Sequence, residues 1–250
     1  MVSYHIQLSG EGTLCVYFDF EAEKQSLLTN INAGASRVHF IKAVAAHLRE
    51  ALVLPLQTQH PDIAAYWDVI PANHNITLVY NPFITSFSSA KTALKVCLDT
   101  FLSSNNALNP PTSNMVQIPV FYGGEFALDL ESVSDSCGMS ISEVIECHTA
   151  GEYEVAAVGF APGFAYLNGL KKPLQLPRMT VPRKWIKGGS VAIAEGQTAV
   201  YPGDSPAGWH VIGHCPIPMF SLEEGARLSM GDRVKFTRIS LEEYQSYGVL

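Results

Sequence analysis

Residues 159–213 decide how this chain is read: GFAPGFAYLNGL at 159–170, LPRMTVPRKWIKGGSVAIAEGQTAVYP at 176–202 and GDSPAGWHVIG at 203–213. Short runs with strand character at 190–194, 198–201 and 209–213 alternate with Gly and Pro turns, and 153–159 and 232–239 continue the pattern on either side. Many short strands with dense turn chemistry predict a β-barrel or sandwich whose function sits on its loops. The stretch from Val155 to Ala194 has no Asp or Glu, while Lys171, Lys172, Arg178, Arg183, Lys184 and Lys187 crowd into it. In a chain of formal net charge −7, such a patch concentrates anionic ligands. Arg178 and Arg183 each follow a proline, whose fixed φ stiffens the backbone. Two arginines so held can present planar forks to a carboxylate or phosphate.

Outward from this segment, glycine usage divides the chain. Three of the 19 glycines (Gly10, Gly12, Gly34) precede residue 112 and the other 16 follow, with Asn109, Pro110, Pro111 and Thr112 as the joint. The expected domains are therefore 1–112 and 113–250. In the first, strands are expected at 13–20, 66–70 and 76–80 and helices at 37–52 and 89–102, followed by a strand at 115–122 that leads onward across the joint. That order suggests a split βαβ, ferredoxin-like sandwich serving as scaffold or partner contact. The second opens with helical pieces at 130–137 and 140–147, the latter with Ser140 and Glu143 as a capping box. The fold class expected is α+β.

Composition bounds the function. The 250 residues are 47% hydrophobic and 16% charged, enough to bury a substantial core and too few charges for disorder. The start, MVSYHIQLSGEG, lacks the basic and apolar regions of a signal peptide, and the longest nearly apolar run, 155–167, is too short to span a bilayer. The expectation is a cytoplasmic protein without membrane or nucleic-acid partners. Cys15, Cys97, Cys137, Cys147 and Cys215 are odd in number and contain no CxxC pair, arguing against a disulfide framework or zinc ribbon. His210 and His214 have the spacing of helical metal ligands, but WHVIG reads as strand, so no metal site is expected. The sequence around Lys187, Gly188, Gly189 and Ser190 lacks the glycine spacing and GK[ST] order of a phosphate-binding P-loop.

YGGE at 122–125, SISEVIECH ending at His148, GFAPGFAYLNGL, LPR, VPR, GGSVAIA, GQTAVYP, SPAGW and Gly231-Asp232 together resemble the B-component family of prokaryotic ATP-dependent 5-oxoprolinase, also labelled allophanate hydrolase subunit 1 and Kip-type histidine-kinase inhibitor. The resemblance implies an α/β N-terminal domain followed by a cyclophilin-like β-barrel. It implies partnership with the C component of the same enzyme to activate 5-oxoproline by phosphorylation, while the separate A component completes ring opening to glutamate. ATP, with Mg and held in large part by the partner, is the implied cofactor. Alternatives are inhibition of a histidine kinase and a related allophanate- or urea-type amide hydrolase; prolyl isomerisation rests on fold analogy alone. The family pattern is broken at Ile186-Lys187-Gly188, and at Glu195, Ala207 and His214, where the family shows glycine, glycine and arginine.

Within that frame the catalytic candidates are His148, Arg178, Arg183 and Gln197. His148 is either a general base or a cap on its helix's C-terminal carbonyls. Arg178 and Arg183 are the anion ligands. Gln197 either meets a lactam amide or stabilises a turn. Gly159, Phe160, Pro162, Gly163, Phe164 and Tyr166 shape a loop close to ligand or plug the barrel. Lys187, Tyr201, Ser205 and Trp209 complete the binding set, with Asp204 in the same turn and Trp209 read as core residue or stacking platform. No Ser, His and Asp set suggests covalent catalysis.

Overall fold

The structure, a computed structural model, describes residues 2–20, 37–54, 67–104 and 115–248; Gly34, Tyr66 and the joint at 109–112 lie outside them. The chain divides into two compact units, Met1–Thr112 and Ser113–Leu250.

In the first unit, β1 (Ser3–Leu8) and β2 (Thr13–Asp19) form an antiparallel hairpin. Helix α1 (Arg37–Leu48) widens into a π-helical turn, Arg49–Val53, and precedes the hairpin of β3 (Asp68–Ala72) and β4 (Asn75–Val79). Helix α2 (Phe87–Ser103) is capped by Ser86, whose hydroxyl accepts from the Ser89 amide at 3.2 Å. The four-stranded sheet has the order β1-β2-β4-β3, antiparallel throughout. β4 lies between β2 and β3, which is the split βαβ core the sequence suggests. The strand beside β2 differs: it is β1, and the 115–122 run that completed the expected strand and helix order pairs with Arg233–Arg238 in the second unit. The 115–120 run goes there because Ile118 and Val120 are fully buried in that unit's core. The sheet buries Leu14, Val16, Val69, Ile76 and Leu78, and α1 buries Ile41, Val44 and Leu48. Each such side chain contributes roughly 1.5–3 kcal/mol of transfer free energy before chain entropy is subtracted.

The second unit begins with β5 (Met115–Val120), α3 (Leu130–Cys137) and α4 (Ile141–Thr149). α3 ends at Gly138 in the left-handed region, and α4 begins with the Ser140–Glu143 capping box. The strands that follow are β6 (Tyr153–Val158), β7 (Ala165–Asn168), β8 (Arg183–Ile186), β9 (Ser190–Ala194), β10 (Gln197–Val200), β11 (Ser205–Ala207) and β12 (His210–His214). A short hairpin of β13 (Phe220–Ser221) and β14 (Gly225–Ala226) precedes β15 (Arg233–Arg238) and helix α5 (Leu241–Ser246). Seven strands form one sheet in the order β12-β9-β10-β7-β6-β15-β5; β5 and β15 run parallel and the other neighbours antiparallel. Phe121 and His214 exchange two backbone hydrogen bonds of 2.9 Å, which joins the two ends of the sheet and makes a nearly closed barrel.

Two clusters share the barrel wall. Val191 and Ile193 join Ile118, Val155, Leu167, Ile212, Val234 and Phe236 in one, together with Leu130 and Val133 of α3 and Val144 and Ile145 of α4. Ala192, Ala194 and Ala199 face the other way, with Phe164, Ile186, Tyr201, Ala207, Trp209 and Val211. The small alanines let the β8–β11 ribbon lie close over this outer face, so β9 is buried on both sides.

Candidate functional site

The outer cluster opens into a recess of about 230 Å³ lined by Phe160, Phe164, Tyr166, Arg178, Met179, Pro182, Tyr201, Pro206, Gly208 and Trp209. Its walls are aromatic and interlock edge to face: Phe164 lies 4.8 Å from Tyr166, 5.1 Å from Tyr201 and 6.2 Å from Trp209, centroid to centroid. Such pairs add about 0.5–1.5 kcal/mol each beyond area burial, which fixes the ring positions. Phe160 stands at the rim, 66% exposed, with φ +72°, a conformation unfavourable for a bulky side chain. The turn holding it is closed by bonds from the Gly159 amide to Phe164 O at 3.1 Å and from the Phe164 amide to Ala161 O at 3.0 Å. Strain of this kind, about 1–3 kcal/mol, persists where surrounding structure fixes it.

The single guanidinium lining the recess is held on a pinned strap. The Glu195 amide donates to Leu176 O at 2.6 Å, His210 Nε2 to Pro177 O at 2.9 Å, and the Met179 amide to Gly208 O at 2.8 Å. These bonds hold the strap on both sides of Arg178, whose guanidinium lies 5.8 Å from the Trp209 ring centroid and whose side chain is 58% exposed. A cation on the face of an indole, with open donors beside it, is suited to a planar carboxylate. Burial, reinforced by Tyr166, raises the Tyr201 hydroxyl to about 12, so it stays a neutral hydrogen-bonding group.

Six sequence candidates therefore meet at one place: Phe160, Phe164, Tyr166, Arg178, Tyr201 and Trp209. Gly159 and Pro162 shape the Phe160 turn. Gly163 serves packing, because at φ +82° a Cβ would lie 2.6 Å from Met219 O. Ser205 flanks the recess on β11, its hydroxyl 3.1 Å from Pro206 O.

The remaining candidates are elsewhere. Arg183, expected to bind anions, is already paired: its two terminal nitrogens donate to the Asp129 carboxylate at 2.8 and 2.5 Å. Asp129 is 5% exposed and also accepts from the Val211 amide at 2.7 Å, so the fork joins the start of α3 to β8 and β12. His148 is fully buried, which removes it from the reach of a ligand in the recess. Thr198 Oγ1 donates to Ala192 O, so it accepts from His148 Nε2 at 3.0 Å, and His148 Nδ1 accepts from Tyr122 Oη at 2.7 Å. Burial holds this imidazole down at about 3, fixing it neutral. Gln197 Nε2 donates to Asn168 Oδ1 at 2.8 Å across the β10–β7 ladder. Lys187 places its ammonium 5.3 Å from the Phe126 ring, on the side of buried His214.

Sequence reasoning missed Asp129, Met179, Pro182, Pro206 and Gly208. Pro182, Pro206 and Gly208 fall within VPR and SPAGW, and their Pro and Gly character was the available signal; Asp129 carried none, its partner being 54 residues away.

The lining suits a small carboxylate and does not suit a nucleoside triphosphate. It offers one guanidinium in about 230 Å³, against the several cations or clustered backbone amides that a triphosphate's charge requires. The 187–190 turn supplies no phosphate cradle either: the Gly188 amide donates to Asp204 Oδ1, Gly189 to Tyr201 O and Ser190 to Lys187 O. Among the described residues no group of three or more His, Cys, Asp or Glu could hold a metal ion, and no helix is long and apolar enough to cross a membrane.

Comparison with known proteins agrees with this architecture. Residues 7–228 match the family described as carboxyltransferase domain, subdomain C and D. The 5-oxoprolinase B subunit of Bacillus subtilis (strain 168) is 34% identical over 254 residues, covering 98% of this chain and 97% of that protein. The crystal structure of TTHA0988 superposes with a TM-score of 0.65 at 27% identity; it covers 96% of this chain, which spans only 40% of that one. Kluyveromyces lactis urea carboxylase, at 11% identity and a TM-score of 0.68, covers 98% of this chain and shows the fold alone; this chain spans 22% of it. A match over most of the length in both family and relative places the chain in the carboxyltransferase subdomain C and D family, among the 5-oxoprolinase B subunits.

Proposed function

We propose that this chain is the B component of an ATP-dependent 5-oxoprolinase and that its aromatic recess receives the five-membered lactam acid. The observation that carries this is the pairing of one pinned guanidinium with a small aromatic enclosure, in a chain co-extensive with a 5-oxoprolinase B subunit. Arg178 binds the substrate carboxylate; Phe164, Tyr166, Tyr201 and Trp209 pack the ring and exclude water. The lactam amide is resonance-stabilised; transfer of the ATP γ-phosphoryl group to its carbonyl oxygen, with ADP leaving, would make the amide carbon electrophilic, so that water adds there, the ring C–N bond breaks as the nitrogen takes a proton, and phosphate is released to leave the carboxylate. Such transfer depends on positioning and charge neutralisation. The nucleotide lies outside the recess, held with the C component, and the A component completes release of glutamate. Reconstitution tests this: the present chain mixed with the C and A components, Mg·ATP and 5-oxoproline releases glutamate, and each omission abolishes it. Equal turnover without this chain would overturn the reading.

A further inference from the structure

Glu195 occupies the first position of the two-residue turn between β9 and β10, where Ala194 pairs with Gln197. It has φ +54°, in the left-handed region that turns normally give to Gly or Asn. The Glu195 amide ties the turn to the Arg178 strap by donating to Leu176 O at 2.6 Å, and the Leu170 amide, just after β7, donates to Gly196 O at 3.3 Å. The side chain, 63% exposed, brings Oε1 to 3.8 Å from Arg178 Nε. A carboxylate thus stands, on left-handed backbone, within ion-pair distance of the guanidinium that lines the recess.

We propose that Glu195 is an internal competitor for the ligand carboxylate: it partners Arg178 until a small carboxylic acid enters the recess and displaces it, making it a specificity-determining residue. This rests on the recess being the carboxylate site of the proposed 5-oxoprolinase component. An entering carboxylate exchanges one weak, solvated pair for a contact backed by the aromatic walls, whereas an uncharged ring leaves the Arg178–Glu195 pair in place. Glu195 therefore moderates affinity for the acid without affecting its neutral analogue.

The test is an NMR titration of the full chain with 5-oxoproline and with 2-pyrrolidinone, the same lactam without its carboxylate. Glu195→Gln keeps the size of the side chain and removes its charge. It is expected to tighten 5-oxoproline binding about two- to fivefold and leave 2-pyrrolidinone unchanged. In an Arg178→Gln background the same substitution has no effect on either ligand. An unchanged 5-oxoproline Kd, an equal shift for both ligands, or an effect that survives Arg178→Gln overturns the proposal. The parallel glutamate assay separates the two readings. Glutamate release by a wild-type complex whose isolated B component shows no Glu195-dependent binding sinks the competitor and leaves the enzyme assignment. Charge-dependent binding with no glutamate from intact components does the reverse.

Discussion

Arg178 and Arg183 stand five residues apart, each directly after a proline, yet one opens onto the recess and the other is locked inside the fold. Arg183 meets a carboxylate whose side chain is 7% exposed and itself bonded to a backbone amide; Arg178 meets Glu195, its side chain 63% exposed, at 3.8 Å. The local sequence sets backbone stiffness for both, and the partner decides the role. A buried carboxylate requires its counter-ion, because leaving it unpaired costs several kcal/mol, so Arg183 is committed to structure. A solvated carboxylate holds its partner weakly, so Arg178 stays available.

Breaking each partnership separately tests that contrast. The largest effect is expected from Arg183→Ala, which strands Asp129 and lowers unfolding free energy by about 3 kcal/mol in denaturant titrations. Next, Arg178→Gln raises the KM for 5-oxoproline in the reconstituted complex about ten- to a hundredfold, the loss of a charge-assisted hydrogen bond. Its denaturation midpoint stays within about 0.5 kcal/mol of wild type, as for an exposed site.

His148 extends the contrast to a neutral buried base. Its pKa is depressed from 6.5 to about 3, so below pH 6.5 the unfolded chain takes up a proton that the folded chain refuses. Stability is therefore fully present above pH 6.5 and lost as pH falls toward 3, by up to about 1.4 kcal/mol per unit. His148→Gln, compared with wild type between pH 7 and about 5, loses up to ~2 kcal/mol less on acidification. A parallel pH dependence in the two proteins would show that other groups carry it. Smallest, Glu195→Gly relieves a positive φ and raises the unfolding midpoint by the equivalent of about 1 kcal/mol, seen in thermal scans.

The sequence made the helices, the capping box and the barrel strands around 190–213 legible because their signals are local: periodicity, caps and Gly or Pro punctuation. β1 went unread although SYHIQL alternates polar residues with Tyr4, Ile6 and Leu8, because six residues at the very start of the chain, none of them fully buried, carry a weak signal. The destination of 115–120 was hidden for a different reason: an apolar strand does not state which sheet it joins, and its parallel partner β15 lies far along the chain. At the site, glycine and aromatic density pointed to the recess, while the assignment of Arg183 to anion binding failed because Asp129 sits 54 residues away. His148 was legible as a helix-terminal histidine; its burial was not, since that depends on Tyr122 and Thr198 converging from two separate strand regions.

The parallel pairing of β5 with β15 gives the second unit a particular order of assembly. Met115–Val120 is synthesised first among the barrel strands, and its sheet partner Arg233–Arg238 emerges only after nearly all the rest. The intervening hairpins can form early, since their contacts are short-range, but closure waits on a long loop whose entropy must be overcome at once. During translation β5 therefore travels with an open edge, and a nascent chain halted before β15 would present that edge to chaperones or to other chains.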